Sequence, residues 1–153
     1  RVRAPNAAAV LLRGRCVVPG RAEGPAFVTR DRLSGWGSIE PRTGTIVEKH
    51  HEMHGESFAG KVLVFPGARR TTDWSHAFHL TRLFGAAPRA MLFTEMTTKV
   101  ALGAVVVRAP AMTDFDLDPL DCIASGDWVV VDADLGVVEV RKQPVAQPLH
   151  RQR

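Results

Sequence analysis

A short segment between a buried strand and a helix carries the densest group of chemically active side chains. Lys61–Phe65 is a nearly continuous apolar run, which is typical of a strand covered on both faces, and Pro66 and Gly67 end it. Helical spacing of apolar residues then begins after Ser75. A helix start exposes unpaired N–H groups that, together with the helix dipole, favour an anion. The donors suited to a carboxylate or phosphate are Arg69, Arg70, Thr71 and Thr72.

The same segment has a simpler interpretation. Asp73 or Ser75 can cap an ordinary helix, and the neighbouring arginines can be surface residues. Ser75 also lacks the glycine frame of a hydrolase nucleophile, so a hydrolase triad has little support. The local sequence leaves the anion site and the plain helix cap both open.

The other groups of polar residues fit metal sites poorly. His50, His51, Glu52 and His54 do not have the spacing of the helical zinc motif, and they predict a loop whose histidines bind backbone or line a cleft. His76 and His79, three residues apart, are expected on a helix surface. The acidic run from Asp114 to Asp121 lacks the glycine and distal glutamate of a calcium loop, which favours a solvated face.

Composition predicts one globular domain. The 153 residues are 45% hydrophobic and 24% charged, and no apolar run is long enough to span a membrane. The net charge of +4 comes from the ends of the chain, because the stretch 4–140 holds 14 bases against 16 acids. That distribution gives no reason to expect nucleic-acid binding. Cys16 and Cys122 stand far apart, which suits a reducing cytosol and cannot hold an iron–sulfur cluster or structural zinc.

Turn residues divide the chain into strands and a few helices. The pattern predicts a helix from Ser75 to Gly85, a short helical turn over Thr98–Ala101 ended by Gly103, and a short helix over Asp118–Ala124. The glycine-rich stretch Ser34–Gly44 is expected to be a loop with Trp36 and Ile39 turned inward. The predicted strands are Val10–Val18 with a bulge near Gly14, Ala26–Thr29, Thr45–Lys49, Lys61–Phe65, Ala90–Thr94, Ala104–Val107, and a hairpin of Trp128–Val131 with Val137–Val140.

These segments predict a mixed α/β fold with a mainly β core. The domain is expected to span residues 9–141, between an N-terminal tail of residues 1–8 and a basic C-terminal tail of residues 142–153.

Several stretches taken together resemble the small-subunit, or swivel-domain, part of aconitase X. The resemblance runs over roughly residues 13–140 and is carried by residues 14–20, 22–26, 34–37, 41–44, 51–55, 59–67, 87–90, 101–104 and 125–127. It implies a swivelling β/β/α domain of a hydro-lyase, or dehydratase. The iron–sulfur cluster of such an enzyme is expected on a large subunit or domain, and none on this chain alone.

The resemblance also implies roles for the segment after Lys61. By position, Ser75 looks like the serine that the small domain contributes to catalysis, and Arg69 matches the loop arginine of the family. The family loop is rich in glycine and serine, whereas Arg70 and Trp74 stand here where glycines are expected. Because side chains at those positions hold the backbone further from a ligand, either Arg70 binds an extra anionic group or the site has drifted.

The resulting hypothesis is a cytoplasmic dehydratase small subunit that is inactive alone. Its partners are an aconitase X large subunit and a small hydroxy acid, with cis-3-hydroxy-L-proline favoured over 5-phosphomevalonate, and neither nucleic acid nor a membrane is expected. Ser75 would be the base, while Arg69, Arg70, Thr71 and Thr72 would bind substrate. The rival is a non-catalytic swivel module that keeps its docking role, and a weaker third reading is a phosphate carrier using His76.

Overall fold

The computed structural model describes residues 9–69 and 73–143. The helices are α1 (Trp74–Leu83), α2 (Thr98–Val107) and α3 (Pro119–Cys122). The strands are β1 (Ala9–Arg13), β2 (Arg15–Val18), β3 (Arg21–Val28), β4 (Ile39–Glu40), β5 (Thr45–Ile46), β6 (Val62–Phe65), β7 (Ala90–Phe93), β8 (Ala111–Thr113), β9 (Trp128–Asp132) and β10 (Val137–Arg141). The expected mixed fold dominated by strands is therefore confirmed.

One eight-stranded sheet, in the order β1-β10-β9-β3-β6-β7-β8-β2, organises the domain. The long strand β3 joins its two halves, because Arg21–Pro25 pairs antiparallel with β9 while Ala26–Val28 pairs parallel with β6. Strands β6, β7 and β8 continue the parallel half. Since parallel strands end at the same edge of a sheet, the segments that follow β3, β6, β7 and β8 meet there.

The two edge strands of this sheet are consecutive in the chain. The sequence predicted one bulged strand over Val10–Val18, but Gly14 separates β1, which pairs with β10, from β2, which pairs with β8. A Cβ on Gly14 would lie 2.7 Å from the Phe115 ring, so only glycine fits where the chain passes between the edges. The sheet therefore curls until its edges meet at one residue.

Two apolar clusters fill the space on either side of the parallel strands. Leu63 and Phe65 of β6 face the helices and pack with Trp74 and Phe78 of α1. Val62 and Val64 face the opposite side, toward the antiparallel strands. Both faces of β6 are buried, which explains its continuous apolar sequence.

Helix α2 differs from the sequence prediction. Residues 104–107 were expected to form a strand after a helix stop at Gly103, yet all four lie in α2. A Cβ on Gly103 would lie 2.2 Å from the Trp74 ring, so this glycine allows α2 to approach α1 and does not end the helix. The helix ends at Arg108, whose φ of 64° is left-handed. The short strand β8 after it was not predicted.

The segment between β3 and β6 is mostly irregular. Ile39 is buried as expected, but Trp36 is 59% exposed, so its predicted inward orientation is wrong. The strand predicted over Thr45–Lys49 is only the two residues of β5, paired with β4. Helices α1 and α3 and the β9–β10 hairpin lie close to their predicted positions. No helix within residues 9–69 and 73–143 is long and apolar enough to cross a membrane.

Candidate functional site

The Leu33 carbonyl holds both ends of the segment that joins β6 to α1. It accepts hydrogen bonds from the backbone N–H of Arg69 and from the indole N–H of Trp74, each at 2.8 Å. Leu33 in turn donates its own N–H to the carbonyl of Gly67 at 3.1 Å. Residues 70–72 between these anchors lie outside the described residues, but the points where the chain leaves and returns are fixed.

Helix α1 begins at the second of these anchors. Asp73 occupies the N-cap position with φ −103° and ψ 22°, and its side chain makes no capping hydrogen bond. Ser75 is the second residue of the helix and is half-buried. Its hydroxyl makes no hydrogen bond to the described part of the chain, so Ser75 is not the helix cap and its oxygen is available for other chemistry.

Arg69 is held at both its backbone and its side chain. Its Nη1 donates to Glu48 Oε2 at 2.5 Å, and the two side chains are 38% and 24% exposed. Glu48 comes two residues after β5 and is far from Arg69 in sequence, so no local pattern signals this pair. Any anion that binds Arg69 meets a guanidinium that is already oriented.

The histidine-containing segment, residues 48–56, is a loop whose histidines contact backbone carbonyls, as the sequence predicted. Buried His51 places Nε2 3.2 Å from the carbonyl of Arg32, while its Nδ1 accepts from the N–H of Met53 at 3.0 Å. Glu52 accepts from the Thr29 hydroxyl and the Arg30 N–H, each at 2.6 Å, and these bonds hold the pKa of Glu52 below its usual value. The loop therefore ties the Glu48 region to the segment that carries Leu33.

A second ion pair lies at the same edge of the sheet. Arg32 donates through Nε and Nη2 to the two oxygens of Glu95, at 2.8 Å and 2.5 Å. The hydrogen bond to Glu95 raises the pKa of Arg32. Glu95 packs against Gly67, and its N–H donates to the carbonyl of Pro66 at 2.8 Å. This pair joins the segments after β3 and β7, and both nitrogens of one guanidinium edge are occupied.

An exposed aromatic pair stands beside the start of α1. The rings of Trp36 and His76 lie 5.8 Å apart and are tilted by 34°. Gly35 permits this approach, because a Cβ there would lie 2.8 Å from the Trp74 Cα. The glycines around Trp36 were the only sequence signal for this arrangement, and they suggested a loop without indicating which side chain faces outward.

A pocket of about 250 Å³ opens where β7 and β8 end. It is lined by Thr94, Asp114, Phe115, Leu117, Asp118 and Pro119. Neither Arg69 nor Ser75 lines this pocket, so it is separate from the segment joining β6 to α1.

The chain matches a known family, the aconitase X swivel domain. The model of that family covers residues 11–140. The chain belongs to the aconitase X swivel-domain family. The match covers the complete sheet apart from the first two residues of β1 and the last of β10.

Curated relatives of this swivel domain are close to it in length. The chain is 36% identical over 129 residues to a phosphomevalonate dehydratase small subunit of Methanocella arvoryzae, covering 84% of this chain and 98% of the relative. It is 42% identical over 119 residues to the Methanothrix thermoacetophila protein of the same name, covering 78% and 86%. The holo-form crystal structure of Thermococcus kodakaraensis aconitase X matches with a TM-score of 0.81 and 35% identity, covering 87% of this chain and 99% of that chain. The resemblance noted in the sequence is therefore confirmed.

The residues of this swivel domain do not fit an iron–sulfur cluster. Cys16 lies exposed on β2 and Cys122 ends α3, and burial raises the pKa of the Cys122 thiol. Across residues 9–69 and 73–143, no three His, Cys, Asp or Glu side chains form a group that can hold a metal ion.

The structure places two of the five predicted site residues. Arg69 and Ser75 stand at opposite ends of the segment joined to the Leu33 carbonyl. Arg70, Thr71 and Thr72 lie outside the described residues. Three residues near the segment were not predicted as site residues: Leu33, Trp36 and Glu48. Each is distant from the segment in sequence and comes close to it only through the tertiary fold.

Proposed function

We propose that this chain is the small subunit of a phosphomevalonate dehydratase. The observation that carries the proposal is the full-domain similarity to relatives of that name, which spans the segment between β6 and α1. The complex requires a large subunit that carries the iron–sulfur cluster. Two free thiols in the chain favour a cytosolic enzyme.

Phosphomevalonate suits the charges around this segment. The substrate has a carboxylate at one end and a phosphate at the other, and each anion can be bound by a guanidinium. Arg69 is the proposed ligand of the carboxylate, and Arg70 is the proposed ligand of the second anion, with Thr71 and Thr72 as hydroxyl donors. The sequence-based preference for cis-3-hydroxy-L-proline has no support from the relatives described above, so the order of the two substrates is reversed.

Dehydration requires removal of a proton from the carbon next to the carboxylate. In the proposed reaction the Ser75 oxygen, as an alkoxide, takes that proton, a carbon–carbon double bond forms, and the neighbouring hydroxyl leaves as hydroxide. The hydroxide takes up a proton to become water, and Ser75 releases its proton before the next turnover. A serine hydroxyl is a poor base, so it needs the positive end of α1 and nearby guanidinium groups to stabilise the alkoxide.

The test is reconstitution with the large subunit from the same genome. The purified chain and the anaerobically prepared large subunit are mixed, and loss of phosphomevalonate and formation of the unsaturated acid are followed by ¹H and ³¹P NMR. We expect turnover by the mixture and none by either subunit alone. cis-3-Hydroxy-L-proline is supplied in a parallel reaction as the competing substrate.

The result separates the hypotheses. Turnover of cis-3-hydroxy-L-proline alone would reject phosphomevalonate as the substrate. A complex that forms but dehydrates neither compound would support the non-catalytic swivel module. Phosphate transfer from a phosphodonor to His76 would support the phosphate-carrier reading instead.

A further inference from the structure

Glu48 is fixed by the scaffold on which it stands. Its carbonyl accepts from the N–H of His51 at 3.3 Å and lies 3.1 Å from His54 Nδ1. His51 itself is buried and bound to the segment before Leu33. The backbone of Glu48 is therefore tied to the same segment that holds Arg69.

The carboxylate of Glu48 is only half satisfied. Oε2 accepts from Arg69, whereas Oε1 is shielded from solvent and has no hydrogen-bond partner within residues 9–69 and 73–143. A buried, unpaired carboxylate oxygen is costly, and such atoms in native proteins often mark a functional constraint. The placement of the Glu48 carboxylate is therefore better explained by a need to orient Arg69 than by stability alone.

Arg69 retains most of its donors in this arrangement. A guanidinium has five N–H groups, and in the described part of the chain the Arg69 side chain donates only through Nη1. Arg32 provides the contrast, since Glu95 engages two of its nitrogens at once. The Glu48 contact orients a guanidinium and leaves its other edge open for an anion, whereas the Glu95 contact occupies both nitrogens of one edge.

From this contrast we infer that Glu48 is the positioning residue for Arg69, holding its guanidinium ready for the carboxylate of the substrate. The inference rests on the proposed function and adds a residue that acts through Arg69. Loss of Glu48 frees Arg69 to rotate, so the substrate must order the side chain when it binds. The effect falls on substrate affinity more than on turnover, because the arginine contact is already made in the ground state.

The experiment compares Glu48→Ala with a matched change at the other pair, Glu95→Ala, in the reconstituted complex. We expect Glu48→Ala to raise KM for phosphomevalonate about tenfold with kcat within about threefold of wild type. Glu95→Ala should leave both constants within about twofold. Glu48→Gln keeps an acceptor oxygen and should recover part of the affinity.

A double variant tests whether Glu48 acts through Arg69. Once Arg69→Ala has been made, adding Glu48→Ala should change KM by less than about twofold. Equal effects of Glu48→Ala in the presence and absence of Arg69 would overturn the inference. An unchanged KM in Glu48→Ala would overturn it as well.

A second measurement does not depend on turnover. In the ¹⁵N-labelled full chain, the Arg69 side-chain N–H signals should shift and broaden in Glu48→Ala but not in Glu95→Ala. Signals that do not respond to Glu48→Ala would overturn the inference. If the wild-type complex fails to dehydrate phosphomevalonate but the signals respond as expected, the proposed substrate fails while the positioning of Arg69 stands.

Discussion

Ser75 and Arg69 are ordinary surface residue types that are held in an unusual way. Ser75 lies inside the first turn of α1, two residues after the N-cap position Asp73, and Arg69 is fixed by Leu33 and Glu48. A hydroxyl in the first turn feels the positive end of the helix, and a guanidinium with free donors can bind an anion. The two groups are therefore suited to different parts of one reaction.

Ser75→Ala in the reconstituted complex tests the proposed base. Turnover should fall at least about a hundredfold with little change in KM, because the general base acts only in the transition state. Stability should be unchanged or slightly higher, since alanine is the better helix former and Ser75 caps nothing. Steady-state kinetics and thermal melting measure the two effects.

Thr71→Val is the matched control for Ser75, as it removes a hydroxyl from the segment just before α1. We expect a smaller loss of turnover from Thr71→Val than from Ser75→Ala. Full activity of Ser75→Ala together with an inactive Thr71→Val would assign the role of general base to Thr71 instead of Ser75. Full activity of both variants would favour the non-catalytic module.

Asp127 shows what a structural carboxylate looks like in the same chain. Burial opposes its ionisation, but the N–H groups of Gln143 and Ala124 and the ammonium of Lys142 donate to it at 2.7–2.9 Å. These donors outweigh the burial and hold the pKa of Asp127 below its usual value. Both oxygens are satisfied, in contrast to the half-paired Glu48.

The lowered pKa of Asp127 predicts a pH-dependent contribution to stability. Because the folded pKa lies below the unfolded one, the stabilisation is complete near neutral pH and is lost below about pH 4 as the carboxylate is protonated. Asp127→Asn should lower the free energy of unfolding by about 2 kcal/mol at pH 7. Urea unfolding at pH 7 and pH 3 should show this difference shrinking in acid, whereas Asp121→Asn, at an exposed ion pair, should have little effect at either pH. A difference that is the same at both pH values would contradict the assignment.

At the scale of elements, the sequence predicts those parts whose signals are local. The apolar run of β6, the spacing of α1 and the turn of the β9–β10 hairpin are all continuous in the chain, and each element is found close to its predicted position. The first turn of α2 was predicted, but its second half was missed because Val105–Val107 are β-branched and Gly103 looks like a stop, while packing against Trp74 decides the outcome. The pairing of Glu48 with Arg69 spans distant segments and has no local signal at all.

The contact between α1 and α2 can be tested at Gly103. Alanine in place of a helical glycine ordinarily stabilises by about 1 kcal/mol. Here the added Cβ would meet the buried Trp74 ring at 2.2 Å, so Gly103→Ala should destabilise by about 1–3 kcal/mol. Leu102→Ala, at a half-exposed neighbouring position, is the control and should cost less. Stabilisation by Gly103→Ala in chemical denaturation would show that α2 lies further from α1.

At the scale of the whole molecule, one edge of the sheet gathers the segments that bear on function. Parallel strands β3 and β6 end there, and they deliver Leu33 and Arg69 to neighbouring positions. The antiparallel half pairs with the first part of β3, away from that edge, and the domain is closed through Gly14 and Asp127. The domain therefore presents the proposed site at one edge of a closed sheet.

The extent of this support is testable by truncation. The sequence predicts that the domain ends at residue 141. In the structure, however, the Lys142 ammonium and the Gln143 N–H both donate to the Asp127 carboxylate. A chain of residues 9–143 should melt within about 2 °C of the full chain, since the removed sequence lacks apolar periodicity. A chain of residues 9–141 loses two donors to a buried carboxylate and should melt about 5 °C or more lower. If the loss arises at Asp127, Asp127→Asn should destabilise the 9–141 chain much less than the 9–143 chain, because two of its hydrogen bonds are already gone. Equal melting temperatures for the two truncated chains would show that the end of β10 holds the domain closed without the Asp127 contacts.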